Sequence, residues 1–412
     1  MQSVTRFPSW LDRLAGSMGL AGARLEPDAI CARALRDAGR SRFSDTSFMG
    51  PLAHLLACAR NEADLNVLGR YAFEWDALRS LSNRLRFEAE EEKDGTILEE
   101  PIEKPIFITG FPRSGTTLLH TLLMEDAAIL APRCFETISP YPNGRRDRRR
   151  ARVGRMLRFF QLLAPEMRSM HPLSAGSPQE CTEITAQAFQ SLRYEMTHRV
   201  PSYQTWLDGH GHIAAYRFHK RFLQHLQHRG GAGRWVLKSP DHVHAFDAIE
   251  AVYPDCGIVF VHRDPMRVAA SAMKLTEVVR RPFARRIDRT EIGRQVLARL
   301  AQAAHAAINR AAGLRGRNVF HLHYASFAAD PLGTVAALYR HFEMELTHAA
   351  RERMAAFLAT APRTGNSYRL EDYGIDPSDL SDQFAFYMDH FDVQSETALW
   401  NTSRTARAPV AA

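Results

Sequence analysis

From Pro27 to about Glu92 the apolar residues recur at helical spacing: Leu52, Leu55, Leu56 and Ala59, then Leu65, Leu68 and Tyr71, then Leu78, Leu81 and Leu85. Helices that bury one face carry this three-to-four-residue repeat, so the pattern predicts an α-helical N-terminal region. After the acidic stretch EAEEEKDG and two prolines, Pro101 and Pro105, the pattern changes. IFITG (Ile106–Gly110) is a short continuous apolar run of the kind buried on both faces of a parallel sheet. WVLK (Trp235–Lys238), GIVFVH (Gly257–His262) and NVFHLHY (Asn318–Tyr324) repeat that run. Helical spacing follows each: Ala245, Ile249 and Val252 after the second run, a segment opened by Asp264 as cap and Pro265 in the first turn after the third, and Pro331–Phe342 after the fourth.

Strand, turn and helix repeated in this order argue for an α/β fold, a parallel sheet flanked by helices on both faces. A long, mostly helical insertion interrupts the alternation between Arg145 and Gly230. The expected organisation is a helical extension over residues 1–100, an α/β domain over 101–401, and a frayed tail over 402–412.

Composition narrows the classes. The 412 residues are 45% hydrophobic and 24% charged, enough apolar material to exclude a disordered chain. A formal charge of +7 draws in phosphate or sulfate groups. Five cysteines (Cys31, Cys58, Cys134, Cys181, Cys256) show no CxxC spacing, which argues against a disulfide framework or zinc site and for a reducing, cytoplasmic setting. Asp12 and Arg13 break any secretory pattern. The longest nearly uncharged run, Ile106–Met124, carries Arg113 at its middle, so no membrane span is expected. Neither His210 with His212 nor His242 with His244 is joined by a nearby carboxylate or cysteine set that would complete a site, so no metal is expected. The most basic segment, RRDRRRARVGR (Arg145–Arg155), lacks interleaved aromatics and reads as a solvated helix face, with no nucleic-acid partner expected.

The chemistry-bearing segment is FITGFPRSGTTLLHTLL, a buried strand, a turn bounded by Gly110 and Gly115, and a helix whose leucines face the core. Two glycines five residues apart before a helix form a P-loop-like cradle, in which backbone N–H groups surround an anion. Nucleoside triphosphatases follow the second glycine with Lys and then Ser or Thr, for the phosphates and Mg²⁺. Here those places hold Thr116 and Thr117, and the cation has moved to Arg113. An ordinary ATPase or kinase is disfavoured.

With these residues the sequence resembles the sulfotransferases that use 3'-phosphoadenosine 5'-phosphosulfate, especially the bacterial type with an N-terminal helical extension. PRSGTTLL matches that family's 5'-phosphosulfate loop, and the resemblance implies that Arg113, Ser114, Gly115, Thr116 and Thr117 hold the 5'-phosphosulfate. IVFVHRDPMRVAASAMK is similar to its second element, which implies that Arg263 and Ser271 bind the 3'-phosphate. WVLKSPDH resembles its Lys-Ser-Pro segment and places Lys238 near the bridging oxygen of the leaving group. HYASFAADP implies a nucleotide contact at Tyr324. The donor implied is 3'-phosphoadenosine 5'-phosphosulfate, and the acceptor is a hydroxyl of a small molecule or peptide.

Sulfonyl transfer to a hydroxyl requires a base. Glu136 in PRCFET is the first choice, by its match to a family glutamate after the loop helix. Glu180 and His171 in HPLSAGSPQEC come second, and His242 third. The rival readings are a P-loop nucleotide kinase or other phosphotransferase and a non-catalytic nucleotide-binding module; the missing P-loop lysine weighs against the first and the fullness of the anion constellation against the second.

Overall fold

The computed structural model describes residues 4–6, 25–144, 146–313, 318–360 and 368–396. Arg145, where the basic run begins, and the tail expected to fray lie outside them. Among the described residues there are seven strands: β1 (Val4–Arg6), β2 (Ile106–Gly110), β3 (Ile129–Leu130), β4 (Arg234–Lys238), β5 (Gly257–His262), β6 (Arg286–Asp288) and β7 (Val319–His323). β1 and β6 form a small antiparallel pair. The other five make one parallel sheet in the order β3-β4-β2-β5-β7. The α/β architecture expected from the sequence is therefore the observed one.

Alternation along the strands builds two cores, because successive side chains leave a strand on opposite faces. Phe107, Leu237, Ile258 and Phe260 enter one cluster, with the helices Ile213–Gly230, Phe246–Val252, Pro265–Arg280 and Pro377–His390. Ile106, Ile108, Val236, Val259 and Val261 enter the other, with Thr116–Leu123 and Pro331–His341. Both faces are covered, which is why β2 and β5 read as unbroken apolar runs. A third cluster joins the N-terminal helices Pro27–Ala38, Met49–Glu62 and Val67–Glu91 to Ala186, Phe189, Leu192, Tyr203 and Leu207 of the insertion. The extension thus shares its core with the insertion.

Three local features depart from the sequence pattern. β3, with two residues, is too short to carry a readable period. β7 ends at His323, and Tyr324 opens the helix Tyr324–Ala329 instead of closing the strand. After β4 a 3₁₀ turn, Pro240–His244, intervenes before the helix, and the Ser239 hydroxyl caps it by accepting from Asp241 N at 3.1 Å. The Asp264 cap is as expected: its carboxylate accepts from Met266 N at 2.8 Å. All five cysteines are free thiols, and no helix among the described residues is long and apolar enough to cross a membrane.

Gly110 closes β2 in register with Val261 of β5. Its φ is +142°, and a Cβ there would lie 2.3 Å from the Val261 carbonyl oxygen. Gly110→Ala is expected to lower the unfolding free energy by at least about 2 kcal/mol through combined backbone strain and overpacking. Urea denaturation measures it, and a loss below about 1 kcal/mol would show that the strand end yields.

Candidate active site

The loop after β2 is shaped by two residues in the left-handed region, Arg113 (φ 69°) and Gly115 (φ 96°). Arg113 there is a strained non-glycine residue. Ser114 N donates to the Phe111 carbonyl at 3.2 Å and closes the turn. Phe111 anchors its outer side by packing on Tyr387, ring centroids 4.7 Å apart. Gly115 caps the helix Thr116–Leu123, whose first amides have no partner within the helix. A Cβ on Gly115 would meet the Tyr324 ring at 2.6 Å, so glycine is required by fit as well as by φ. The Ser114 hydroxyl is buried without a hydrogen-bond partner.

Arg263 extends from the end of β5 toward the same loop. One guanidinium N–H donates to the Arg113 carbonyl at 2.9 Å. The other edge forms a fork with Glu396, at 2.8 and 3.0 Å, and the plane lies 3.8 Å over the Tyr324 ring. Arg113 Nε donates to Ser271 Oγ at 3.1 Å. Ser271, expected beside Arg263, is therefore bonded to the other arginine, and so links the helix Pro265–Arg280 to the loop. Burial disfavours the Arg113 charge most, with the like charge of Arg263 adding to it. An anion between the two guanidinium groups would relieve both effects.

Lys238 closes β4 and is 2% exposed. Its ammonium donates to Thr117 Oγ1 at 3.2 Å and to Glu180 at 2.5 Å. Glu180 reaches it because Cys181 N donates to the Lys238 carbonyl at 2.9 Å, which lays the segment after His171 along the end of β4. Burial pushes the Glu180 carboxyl up, but the Lys238 ammonium and, less strongly, His171 hold it below its ordinary range. Burial presses His171 down to about 4, against the pull of Glu180 and with Lys238 and Arg113 contributing. His171, Glu180, Lys238 and Arg113 are thus mutually coupled, and the imidazole is neutral at pH 7.

Glu136 is not brought to this cluster. It is the third residue of the short helix Cys134–Ile138, where its carboxylate accepts from Arg133 N at 2.9 Å. Burial raises its carboxyl, and the charges that oppose this are Arg133, Arg149 and Arg229. His242 lies fully buried beneath the sheet end, bonded to the Tyr216 hydroxyl at 2.5 Å and edge-on to Phe107. The structure thus unites Arg113, Ser114, Gly115, Thr117, Lys238, Arg263, Ser271 and Tyr324; Thr116 is buried in the first turn of the loop helix. Sequence reasoning missed Glu396. Its contact with Arg263 spans 133 positions, and nothing local marks it. Among the described residues no group of three or more His, Cys, Asp or Glu is arranged to hold a metal.

Comparison with known proteins agrees with this geometry. A model described as the sulfotransferase family matches residues 105–348, which run from just before β2 through β7 and beyond. Omega-hydroxy-beta-dihydromenaquinone-9 sulfotransferase Stf3 of Mycobacterium bovis is 25% identical over 296 residues, covering 67% of this chain and 71% of that protein. Among solved structures, sulfotransferase STF9 of Mycobacterium avium superposes with a TM-score of 0.81 at 27% identity, covering 90% of this chain and 97% of that one. Sulfotransferase STF1 of Mycobacterium tuberculosis H37Rv gives 0.76 at 28% identity, covering 87% and 98%. A loop with Thr116 at the P-loop lysine position and its cation at Arg113, set in a five-stranded parallel sheet, together with the family match over residues 105–348, identifies the chain as a member of the sulfotransferase family.

Proposed function

We propose that this chain transfers a sulfonate group from 3'-phosphoadenosine 5'-phosphosulfate to a hydroxyl of a small organic acceptor. The observation that carries the reading is the pair of arginines brought together at one sheet edge, Arg113 in the loop after β2 and Arg263 just past β5, with Arg263 bonded to the Arg113 carbonyl. The partnerless Ser114 hydroxyl and the free amides of the loop helix fit an anion in the loop. In this reading Arg113, Ser114, Gly115, Thr116 and Thr117 hold the 5'-phosphosulfate, while Arg263 binds the 3'-phosphate with Tyr324 beneath it. Ser271 orients Arg113 and so joins the two subsites. The name of the Stf3 relative, a sulfotransferase of a hydroxylated menaquinone derivative, supports a small-molecule hydroxyl as acceptor.

The donor supplies a sulfonate on a mixed anhydride, so negative charge grows on the phosphate as the sulfonate leaves. Lys238 stands ready at the strand end, its ammonium already on the Thr117 hydroxyl. Together with Arg113 it forms a fixed positive field that needs no reorganisation. Glu180 takes the acceptor's proton, and His171 beside it is the neutral partner that tunes it. Arg263 is held by Glu396, whose carboxylate competes with a phosphate for the same fork.

Three outcomes test this reading. 3',5'-Diphosphoadenosine should raise the melting temperature well above the effect of ATP with Mg²⁺, because only a ligand that prefers the folded chain stabilises it; equal shifts would favour a kinase. Arg263→Ala should weaken that ligand by about 1.5 to 3 kcal/mol in calorimetry, whereas Glu396→Gln, by removing the competitor, should tighten it at least about threefold. An unchanged or weaker affinity in Glu396→Gln would refute the competition.

Glu180→Gln should lower kcat by about 10²- to 10⁴-fold with donor affinity nearly intact, while Glu136→Gln keeps most of the rate. The reverse ranking would return the role to Glu136. The pH dependence has a defined sign. Glu180 is ionised below its ordinary range and His171 is unprotonated above about 4, so kcat/KM stays flat as the pH falls to about 5 and declines only toward 4. A limb near the ordinary histidine value would place the base elsewhere.

A further inference from the structure

The helix Arg149–Leu163 carries most of the basic run, and its two long faces differ. Val153 is buried, Met156 and Leu157 are half-buried beside it, and Phe160 packs on Phe283, so these residues hold the helix to the protein. On the outer side Arg152, Arg155, Phe159 and Leu162 are all exposed. At about 100° per residue they fall within a stripe of roughly 80°. Phe159 is 56% and Leu162 69% exposed, the highest values among the exposed large hydrophobic residues of the described chain. Isolated exposed apolar residues need no explanation; the two most exposed ones aligned on a single stripe do.

Charge completes the pattern. Arg149 is buried and paired with Asp147, and Glu166, just past the helix, is paired with Arg281. Arg146, Arg148, Arg155 and Arg158 have no ion-pair partner among the described residues. The stripe is thus cationic toward its N-terminal end and apolar toward its C-terminal end, with Arg155 and Arg158 flanking Phe159.

We propose that this face docks on an anionic lipid bilayer, with Phe159 and Leu162 entering the headgroup boundary and the arginines meeting lipid phosphates. An interfacial helix needs this combination of apolar anchors and long cations whose stems can lie along the apolar surface. Attraction to a soluble polyanion such as duplex DNA would use the arginines and leave the two apolar side chains idle. The inference stands apart from the transfer reaction and does not rest on it. It agrees with the absence of a spanning helix among the described residues, because the helix would lie on the membrane. The same segment continues through Met167–Met170 into His171, so the docking face and the candidate site share one stretch of chain.

Vesicle flotation tests it with the full chain. The protein should float with phosphatidylcholine vesicles containing phosphatidylglycerol, not with phosphatidylcholine alone, and binding should weaken as salt rises. Phe159→Ser combined with Leu162→Ser should lower the partition coefficient at least about tenfold, and Arg155→Gln combined with Arg158→Gln should do the same. All four side chains lie outside the buried clusters, and thermal melting checks that both variants fold. No flotation of the wild type overturns the proposal. So does wild-type binding by the Phe159/Leu162 variant, or duplex DNA binding that competes fully with the vesicles and is indifferent to that variant; either would make the face a simple polyanion surface.

Discussion

One hydrogen bond, from the Arg263 guanidinium to the Arg113 carbonyl, sets the geometry on which the site depends. Parallel pairing puts Gly110 opposite Val261, so the loop leaving β2 and the residue ending β5 emerge side by side at the carboxyl edge of the sheet. That edge is where open α/β sheets bind ligands. The bond helps hold Arg113 in a left-handed conformation that costs about 1 to 3 kcal/mol in a non-glycine residue. It also sets two guanidinium groups close together. Glu396 neutralises Arg263, while Arg113 has only the Ser271 hydroxyl and makes no ion pair among the described residues. The imbalance favours a ligand carrying its own negative charge at that place.

The second pole follows the opposite logic. Lys238 is buried, and a buried ammonium is tolerated only when paired. Glu180 provides the pair and Thr117 a further acceptor. Because the Lys238 carbonyl also receives Cys181 N, the strand end and the Glu180 segment are held by backbone and side chain together. A cation and a candidate base thereby become one unit, in which the ammonium holds the carboxyl below its ordinary range. One positive pole, Arg113, has no carboxylate partner among the described residues, while the other, Lys238, is internally compensated.

How far the sequence revealed this differs from residue to residue. β2, β4 and β5 were legible because burial on both faces leaves continuous apolar runs, and the loop was legible because φ values of +142° and +96° restrict Gly110 and Gly115. Lys238 and Arg263 followed from their places at strand ends. Long-range pairing was not legible. Glu180 meets Lys238 because a backbone bond carries its segment to β4, and no local spacing encodes that. Glu136 occupies a helix-start position where its carboxylate reaches back to a backbone N–H, a placement that the local sequence does not separate from one facing the loop. Two-residue β3 lacked any period, and the bond from Arg113 to Ser271 was not legible because eight residues of helix do not say which of two neighbouring cations a hydroxyl meets.

The same kind of non-local wiring explains why the helical extension belongs with the site. Asp76 of the helix Val67–Glu91 bonds to Arg79 at 2.6 Å and to Arg193 of the insertion. Arg79 and Arg193 both approach Glu183, at 3.5 and 3.2 Å, three positions beyond Glu180. Asn83 bonds to Gln187 at 2.9 Å, and Arg84 to the Gln187 carbonyl at 3.3 Å. Burial alone would raise the Asp76 carboxyl, but the two arginines overcome it and hold it well below the ordinary range. Such a network adds little net stability relative to an apolar core, since desolvation offsets much of the attraction, but breaking one member leaves a buried charge uncompensated. It therefore specifies position more than it adds stability. The extension bonds to Glu183 and Gln187, Ile184 packs into the cluster on the sheet face with Phe107, and Glu180 and Cys181 meet Lys238. Through Glu183 and Gln187 the helix Val67–Glu91 thus bears on the segment that carries Glu180.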